Sequence, residues 1–348
     1  MRIGTKSFEI FCGTGGVGKT TLATARALQL AENGRKVLLI TIDPAKRLKE
    51  LLKLDDAEAG DVVEVNFNST VKIDALLMSP EKTIQRMAKL NADPHLSQNK
   101  IVQILSRPYG GMNEILSLVE LQMQFETGKY ETIVLDTPPG PHFLDFLESL
   151  NKIKAFFDQS FVDIFNYLGK KTTGEKQGFA IGLVNKVIAS GVKKLLGYLQ
   201  AVTGAQFLDE FVDAVQVIYQ SKDAFLKGLS LQDKLREKSE CNWFLVSSIE
   251  QGKIQEALDL KLHAEHFIHQ DHYLLINKCM EAELSDWSPV DSRLVALKES
   301  LVSKEHQLKE SFKKNFSHVL EFPEVLELSP TEHLNFLYKY WNKYELQG

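Results

Sequence analysis

Cysteine is scarce in this chain: Cys12, Cys241 and Cys279 are the 3 among 348 residues, and no C-x-x-C pair exists. An odd number of widely spaced thiols reads as reduced, buried side chains in a cytoplasm. Neither a zinc clip nor an iron–sulfur cluster is expected from them. Long apolar runs are also missing; none approaches the roughly 20 residues that span a bilayer. Met1 to Lys6 leads straight into an apolar segment, so no secretory signal is expected. Charge of one sign is missing too. A formal net charge of −5 gives no general pull toward nucleic acid or anionic membranes, and no nucleic-acid partner is expected. No internal repeat is visible. What remains is an ordinary globular composition, 44% apolar and 25% charged. The length suits one large α/β domain, or a core domain carrying an inserted subdomain.

The stretch from Ser7 to Asn33 is the most informative one present. Gly13, Thr14, Gly15, Gly16, Val17, Gly18, Lys19 and Thr20 satisfy G-x-x-x-x-G-K-[ST] at every specified position, and Thr21 follows. Phe8 to Cys12 is short and apolar, as a buried strand would be, and Leu22, Ala25, Leu28 and Leu30 share a helical face. A strand, a glycine-rich turn and a helix in that order build a phosphate cradle. Glycines let backbone N–H groups converge on phosphate, and the helix start adds partial positive charge. Lys19 would reach the β- and γ-phosphates, and Thr20 would ligate Mg²⁺. A nucleoside triphosphate is the expected ligand.

Further along, Lys36 to Ile42 reads as a strand that delivers Asp43 at its carboxyl end, where parallel α/β sheets place ligand contacts. The alternative for Asp43 is a turn former before Pro44. Val62 to Val65 and Val71 to Ile73 read as short strands, and Pro80 to Phe125 as helical. Thr132 to Leu135 is another strand and ends in Asp136, whose carboxylate would hold the Mg²⁺; the alternative is a helix N-cap. Residues 151–240 change character, with stripes such as Phe157, Phe161 and Phe165, and Leu183, Val187 and Leu195, at helical spacing around the polar segment 169–178. This block reads as a helical subdomain, 151–240, inserted between core segments 1–150 and 241–348. Its stripes suit either a core or a groove for an apolar partner. Strands at Trp243 to Val246 and Tyr273 to Ile276, a helix over Gln255 to Phe267, a charge-rich helix with a mostly solvated face over Asp291 to Ser317, and a strand near Pro323 follow. A closing helix capped by Thr331 docks Leu334, Leu337, Tyr338 and Trp341 on the core. Five or more strands alternating with helices predict an α/β fold, a doubly wound, mostly parallel sheet of the P-loop NTPase class.

Three segments, GTGGVGKTT, TIDPAKRL and VLDTPPGPHFLDFL, together resemble the ArsA family of ATPases. That family includes the arsenite-pump ATPase subunit and the targeting factor for tail-anchored membrane proteins. The resemblance implies ATP and Mg²⁺ as ligands, Lys19 on the phosphates, Thr20 and Asp136 at the metal, and Asp43 positioning or deprotonating the attacking water. It places Asn277 on the asparagine that recognises adenine and Pro323 on the loop flanking it. It also implies a homodimer that grips and releases a hydrophobic protein client or a membrane-associated partner.

One position departs from the pattern: Thr14 stands where relatives such as MinD, ParA and the nitrogenase iron protein carry a second lysine. Lys46 and Arg47 are the candidate substitutes for its charge. Met280 stands where a guanine-reading Asp would follow Asn277 and Lys278, which favours ATP over GTP. Two other functions compete with this one. A metalloid-pump subunit wants clustered thiolates for soft As(III), and a positioning ATPase of the MinD or ParA type wants a basic amphipathic terminus.

Overall fold

The computed structural model describes residues 2–42, 52, 58–90, 94–107, 112–140, 142–148, 198, 200–325 and 329–345. The chain divides into two compact units. One comprises Met1–Met78, Met123–Leu147 and Gln232–Gly348; the other comprises Ser79–Gln122 and Glu148–Leu231.

In chain order the elements used below are β1 (Phe8–Gly13), α1 (Lys19–Glu32), β2 (Val37–Thr41), β3 (Val62–Asn66) and β4 (Lys72–Leu77). Next come α2 (Pro80–Leu90), α3 (Lys100–Leu105), α4 (Asn113–Glu126), β5 (Thr132–Asp136), α5 (Ala205–Gln220) and α6 (Lys222–Arg236). The last are β6 (Cys241–Ser248), α7 (Gln251–Ala264), β7 (Tyr273–Cys279), α8 (Glu281–Asp286), α9 (Ser292–Asn315), β8 (Val319–Pro323) and α10 (Pro330–Trp341). The eight strands form one sheet in the order β3-β4-β2-β5-β1-β6-β7-β8, parallel throughout except for β3 against β4. The α/β class and the mostly parallel sheet are therefore as the residue pattern implied.

β1 lies inside this sheet, between β5 and β6, and every one of its residues is buried. Its run FEIFCG is apolar without strict alternation because both faces are covered. From β1 the chain crosses over β5 to β2, and later fills β6, β7 and β8 on the other side. In sheets of this kind ligands bind at such a reversal, outside the carboxyl ends of the central strands.

One face of the sheet is covered by α1 and α10. Trp341, fully buried, meets Phe11, Phe244 and Phe322 with ring centroids 6.0, 5.6 and 4.7 Å apart. Beneath them Arg26 and Glu9, both fully buried, pair at 2.6 and 2.9 Å through two guanidinium nitrogens. Arg26 also meets Glu345, and its guanidinium lies 5.1 Å from the Trp341 ring. Burial alone opposes the charge on Arg26, but Glu9 and Glu345 hold its proton more tightly than in water. The first strand, its helix and the last residues of the sheet unit are thus joined by two ion pairs that share Arg26.

Three local readings are revised. Ser329, not Thr331, caps α10, because its hydroxyl takes the Glu332 N–H while Glu332 returns a bond to the Ser329 N–H, a capping box with Pro330 at the first helical position. The helix expected over Gln255 to Phe267 begins and ends earlier, at Gln251–Ala264. The charge-rich α9 is not all solvated: Glu305, Lys309 and Phe312 on it are buried.

The helical unit has polar bonds of its own. Glu120, fully buried on α4, accepts from the Thr83 hydroxyl at 2.7 Å and from Arg86 at 2.5 Å, both on α2. Asn99 caps α3 through the Ile101 and Val102 N–H groups and donates to Asp213 of α5 at 2.9 Å. The stripes and the 169–178 segment singled out in the sequence lie outside the described residues.

Candidate functional site

β1 ends at Gly13, where φ is +150° and an added Cβ would stand 2.2 Å from the Val246 carbonyl oxygen. Only glycine lets the chain pass that close to β6. The loop then runs over Gly15 and Gly16 with open space beside them, and α1 starts after Gly18 (φ +91°). No side chain caps α1 and no acidic residue sits in its first turn. Its leading N–H groups and dipole therefore face the loop unopposed by carboxylate.

Lys19 is buried and its Nζ donates to the Thr14 carbonyl at 2.8 Å, so the ammonium folds back across the loop. The Thr14 hydroxyl is buried and has no hydrogen-bond partner among the described residues. The Thr20 hydroxyl donates to Asp136 Oδ2 at 2.7 Å, and Thr41 donates to the same oxygen at 3.1 Å. Asp136 is the last residue of β5 and is buried. Its carboxylate thus faces the loop's hydroxyl. Thr41 was not singled out from the sequence. Its signal was its place at the end of the strand that leads to Asp43. Asp43 itself lies outside the described residues, as do Lys46 and Arg47.

The other residues singled out in the sequence, Asn277 and Pro323, lie toward the carboxyl ends of β7 and β8. Asn277 is buried and its Nδ2 donates to the Val17 carbonyl at 2.9 Å. The amide lies so close that a Cβ on Gly18 would come within 2.3 Å of it. The next residue, Lys278, has φ +61°, a left-handed conformation that costs a non-glycine residue about 1–3 kcal/mol. It marks a bulge. Ile276 pairs with Glu321 and Cys279 with Pro323, so three steps on β7 match two on β8. The extra residue sits directly after Asn277. Pro323 thus stands across from Cys279, whose carbonyl accepts from the Glu324 N–H at 2.8 Å. The glycine-rich loop and Asn277, far apart in sequence, thus form one rim, and Pro323 stands on the strand beside it.

Electrostatically the thiols are quiet. Burial pushes Cys12 and Cys279 each up to about 12, against the small opposing effects of Lys19 and Lys309. Cys241 is raised too, also by burial. All three are free and buried. Among the described residues no group of three or more His, Cys, Asp or Glu side chains converges as metal ligands would.

This donor set suits a phosphate chain carrying a hard divalent cation. An ammonium, uncapped backbone amides and a buried unpaired hydroxyl serve the anion, while a hydroxyl–carboxylate pair offers the oxygen ligands such a cation takes. A family model, described as anion-transporting ATPase of the ArsA type, matches residues 6–325. The chain belongs to this family. Among curated proteins it is similar to "ATPase get3" of Botryotinia fuckeliana, 33% identical over 139 residues, which are 39% of this chain and 40% of that protein. It is likewise similar to "ATPase ARSA2" of Chlamydomonas reinhardtii, 33% identical over 137 residues, 39% of this chain and 36% of the other. The match to "ATPase GET3" of Malassezia globosa is longer, 28% identical over 214 residues, 58% of this chain and 60% of the relative. The chain thus spans about two-fifths of the first two relatives' length. No helix among the described residues is long and apolar enough to cross a membrane.

Proposed function

We propose that this ArsA-family chain binds ATP with Mg²⁺ at the Gly13–Thr20 loop and hydrolyses it to ADP and phosphate. The observation that carries the reading is the Thr20–Asp136 bond of 2.7 Å beside a loop closed by Lys19. Thr20 and Asp136 would hold the cation, which on binding neutralises charge developing on the phosphates. Lys19 and the α1 amides orient the phosphate chain, and Asp43, at the next strand's end, positions or deprotonates the attacking water. Asn277 and Pro323 flank the adenine; the bulge that turns Asn277 toward the loop supports that role.

The cycle drives a switch in the cytoplasm: nucleotide closes a homodimer, and the helical subdomain at 151–240 captures or releases a hydrophobic client. Membership of the family supports this part. Light scattering with ADP and with a non-hydrolysable ATP analogue tests the dimer, which a monomer under both conditions would remove.

The activity is tested by phosphate release from ATP with Mg²⁺. The parent should turn over, and Lys19→Ala should lose both ATP affinity and turnover. Release that Lys19→Ala leaves unchanged would refute the site.

A further inference from the structure

Behind the Asn277 rim lies a cluster that the reaction above does not use. Lys309 on α9 is buried, and its Nζ meets Glu281 at 2.7 Å, Glu305 at 2.8 Å and Glu321 at 2.9 Å. The carboxylates come from three elements: Glu281 from α8, Glu305 from α9 and Glu321 from β8. Glu305, four residues before Lys309 on the same helix, accepts from the Met280 N–H at 2.9 Å and the Glu281 N–H at 3.2 Å. Those are the two residues after Cys279, where the bulged end of β7 turns into α8. Glu321 lies on β8, two positions before Pro323. One ammonium therefore ties together the turn that follows Asn277 and the strand that presents Pro323.

A left-handed Lys278 persists only where its surroundings over-determine it. The Glu305 carboxylate fixes the backbone on the carboxyl side of the strained residue, and the Val17 bond fixes Asn277 on the other. Burial by itself disfavours the Lys309 charge, yet its three carboxylates hold the proton firmly, and the Lys309 ammonium in turn holds the Glu281 carboxyl below its usual range. Burying the Lys309 and Glu305 charges is a poor way to gain stability alone, because desolvation offsets the attraction. Its distinct product is geometry: fixed positions for Asn277 and Pro323. A cleft of about 280 Å³ opens beside the cluster, lined by Glu281, Glu321, Lys309 and Lys343 among others. With two acids against two bases, and Lys309 already engaged, the cleft is not an anion site.

We infer that Lys309 and Glu305 are positioning residues for the base end of the nucleotide, setting the turn that carries Asn277 and the strand that carries Pro323. The inference rests on the nucleotide reading above. Base recognition and phosphate binding then depend on different supports, and this separates the two ideas.

The test uses the full chain and two ligands, ATP and inorganic tripolyphosphate, with GTP as competitor. Tripolyphosphate engages the Gly13–Thr20 loop and has no base. Lys309→Met should raise the ATP dissociation constant about 10-fold, the usual scale for removing a support behind a ligand-contacting group. Tripolyphosphate affinity should stay within 2-fold (about the precision of such titrations), and the preference for ATP over GTP should shrink. Lys309→Arg should restore both. The double variant Lys309→Met with Glu305→Gln, which lowers the unpaired charge left behind, should keep the ATP defect. Equal weakening of ATP and tripolyphosphate, or no weakening of either, would overturn the positioning role. A parent chain that binds neither ligand would instead overturn the nucleotide site itself.

Discussion

The two ends of the rim are built by opposite means. At the proposed phosphate end, glycines would bring backbone amides to bear on the ligand, and the pattern stands within eight consecutive residues. At the proposed base end, a strained Lys278, a bulge and an ion cluster around the buried Lys309 lie behind two side chains from two strands. Phosphate offers many equivalent oxygens, so local backbone chemistry suffices to bind it. A flat heterocycle must be met from particular directions, and that takes supports distributed through the fold. The phosphate end is accordingly the more legible in sequence and the base end the more dependent on packing.

The largest expected effect lies on the phosphate side. Asp43→Asn should lower phosphate release by roughly 10²-fold or more while ATP affinity stays within a few-fold, the scale of a lost general base. Single-turnover assays at saturating ATP would read it, and a parental rate would remove Asp43 from the chemistry. The next effect joins the two ends. Gly18→Ala forces a Cβ toward the Asn277 amide at 2.3 Å and a left-handed alanine besides. It should destabilise the fold by about 2 kcal/mol, seen as a lower denaturant midpoint. An unshifted midpoint would mean that the Asn277–Val17 contact is not tight.

At the base end alone, Lys278→Gly should relieve the left-handed backbone and add up to about 1 kcal/mol of stability, less the entropy that glycine brings to the unfolded chain. Calorimetric melting would show it, and a clear loss of stability would deny the strain. The smallest effect compares one thiol from each end. With both Cys12 and Cys279 pushed up to about 12 by burial, thiolate is rare at pH 8 and alkylation should be slow at both. Cys279 lines the cleft and should be modified first, by peptide mass mapping; earlier labelling of Cys12 would contradict the burial seen here.

Much of this could be read from residues alone. The P-loop spelled out its own strand and helix, and Asp136 stood at the end of an apolar strand, because a buried parallel strand is a continuous apolar run and its last polar residue is conspicuous. Asn277 and Pro323 were named only through family resemblance, since neither has a chemical signature in isolation. Glu305 and Lys309 stand in a segment whose charges suggest a mostly solvated face: a Glu and a Lys four apart look the same on paper whether water or a turn and a strand surround them. Thr41 was missed for a similar reason. A hydroxyl at a strand end becomes informative only when its partner, Asp136 on the neighbouring strand, is placed beside it. Ser329 escaped notice as a cap because Thr331 offered the same chemistry two residues later.

The account turns on whether Thr20 and Asp136 form the cation half of one ATP site, and the magnesium dependence of ATP binding measures that directly. Titration calorimetry of the parent and of Asp136→Asn, each with and without Mg²⁺, would provide it. Mg²⁺ should tighten ATP binding to the parent, and Asp136→Asn should abolish most of this gain while still binding metal-free ATP. Equal gains from Mg²⁺ in both proteins, or no ATP binding by the parent, would contradict it.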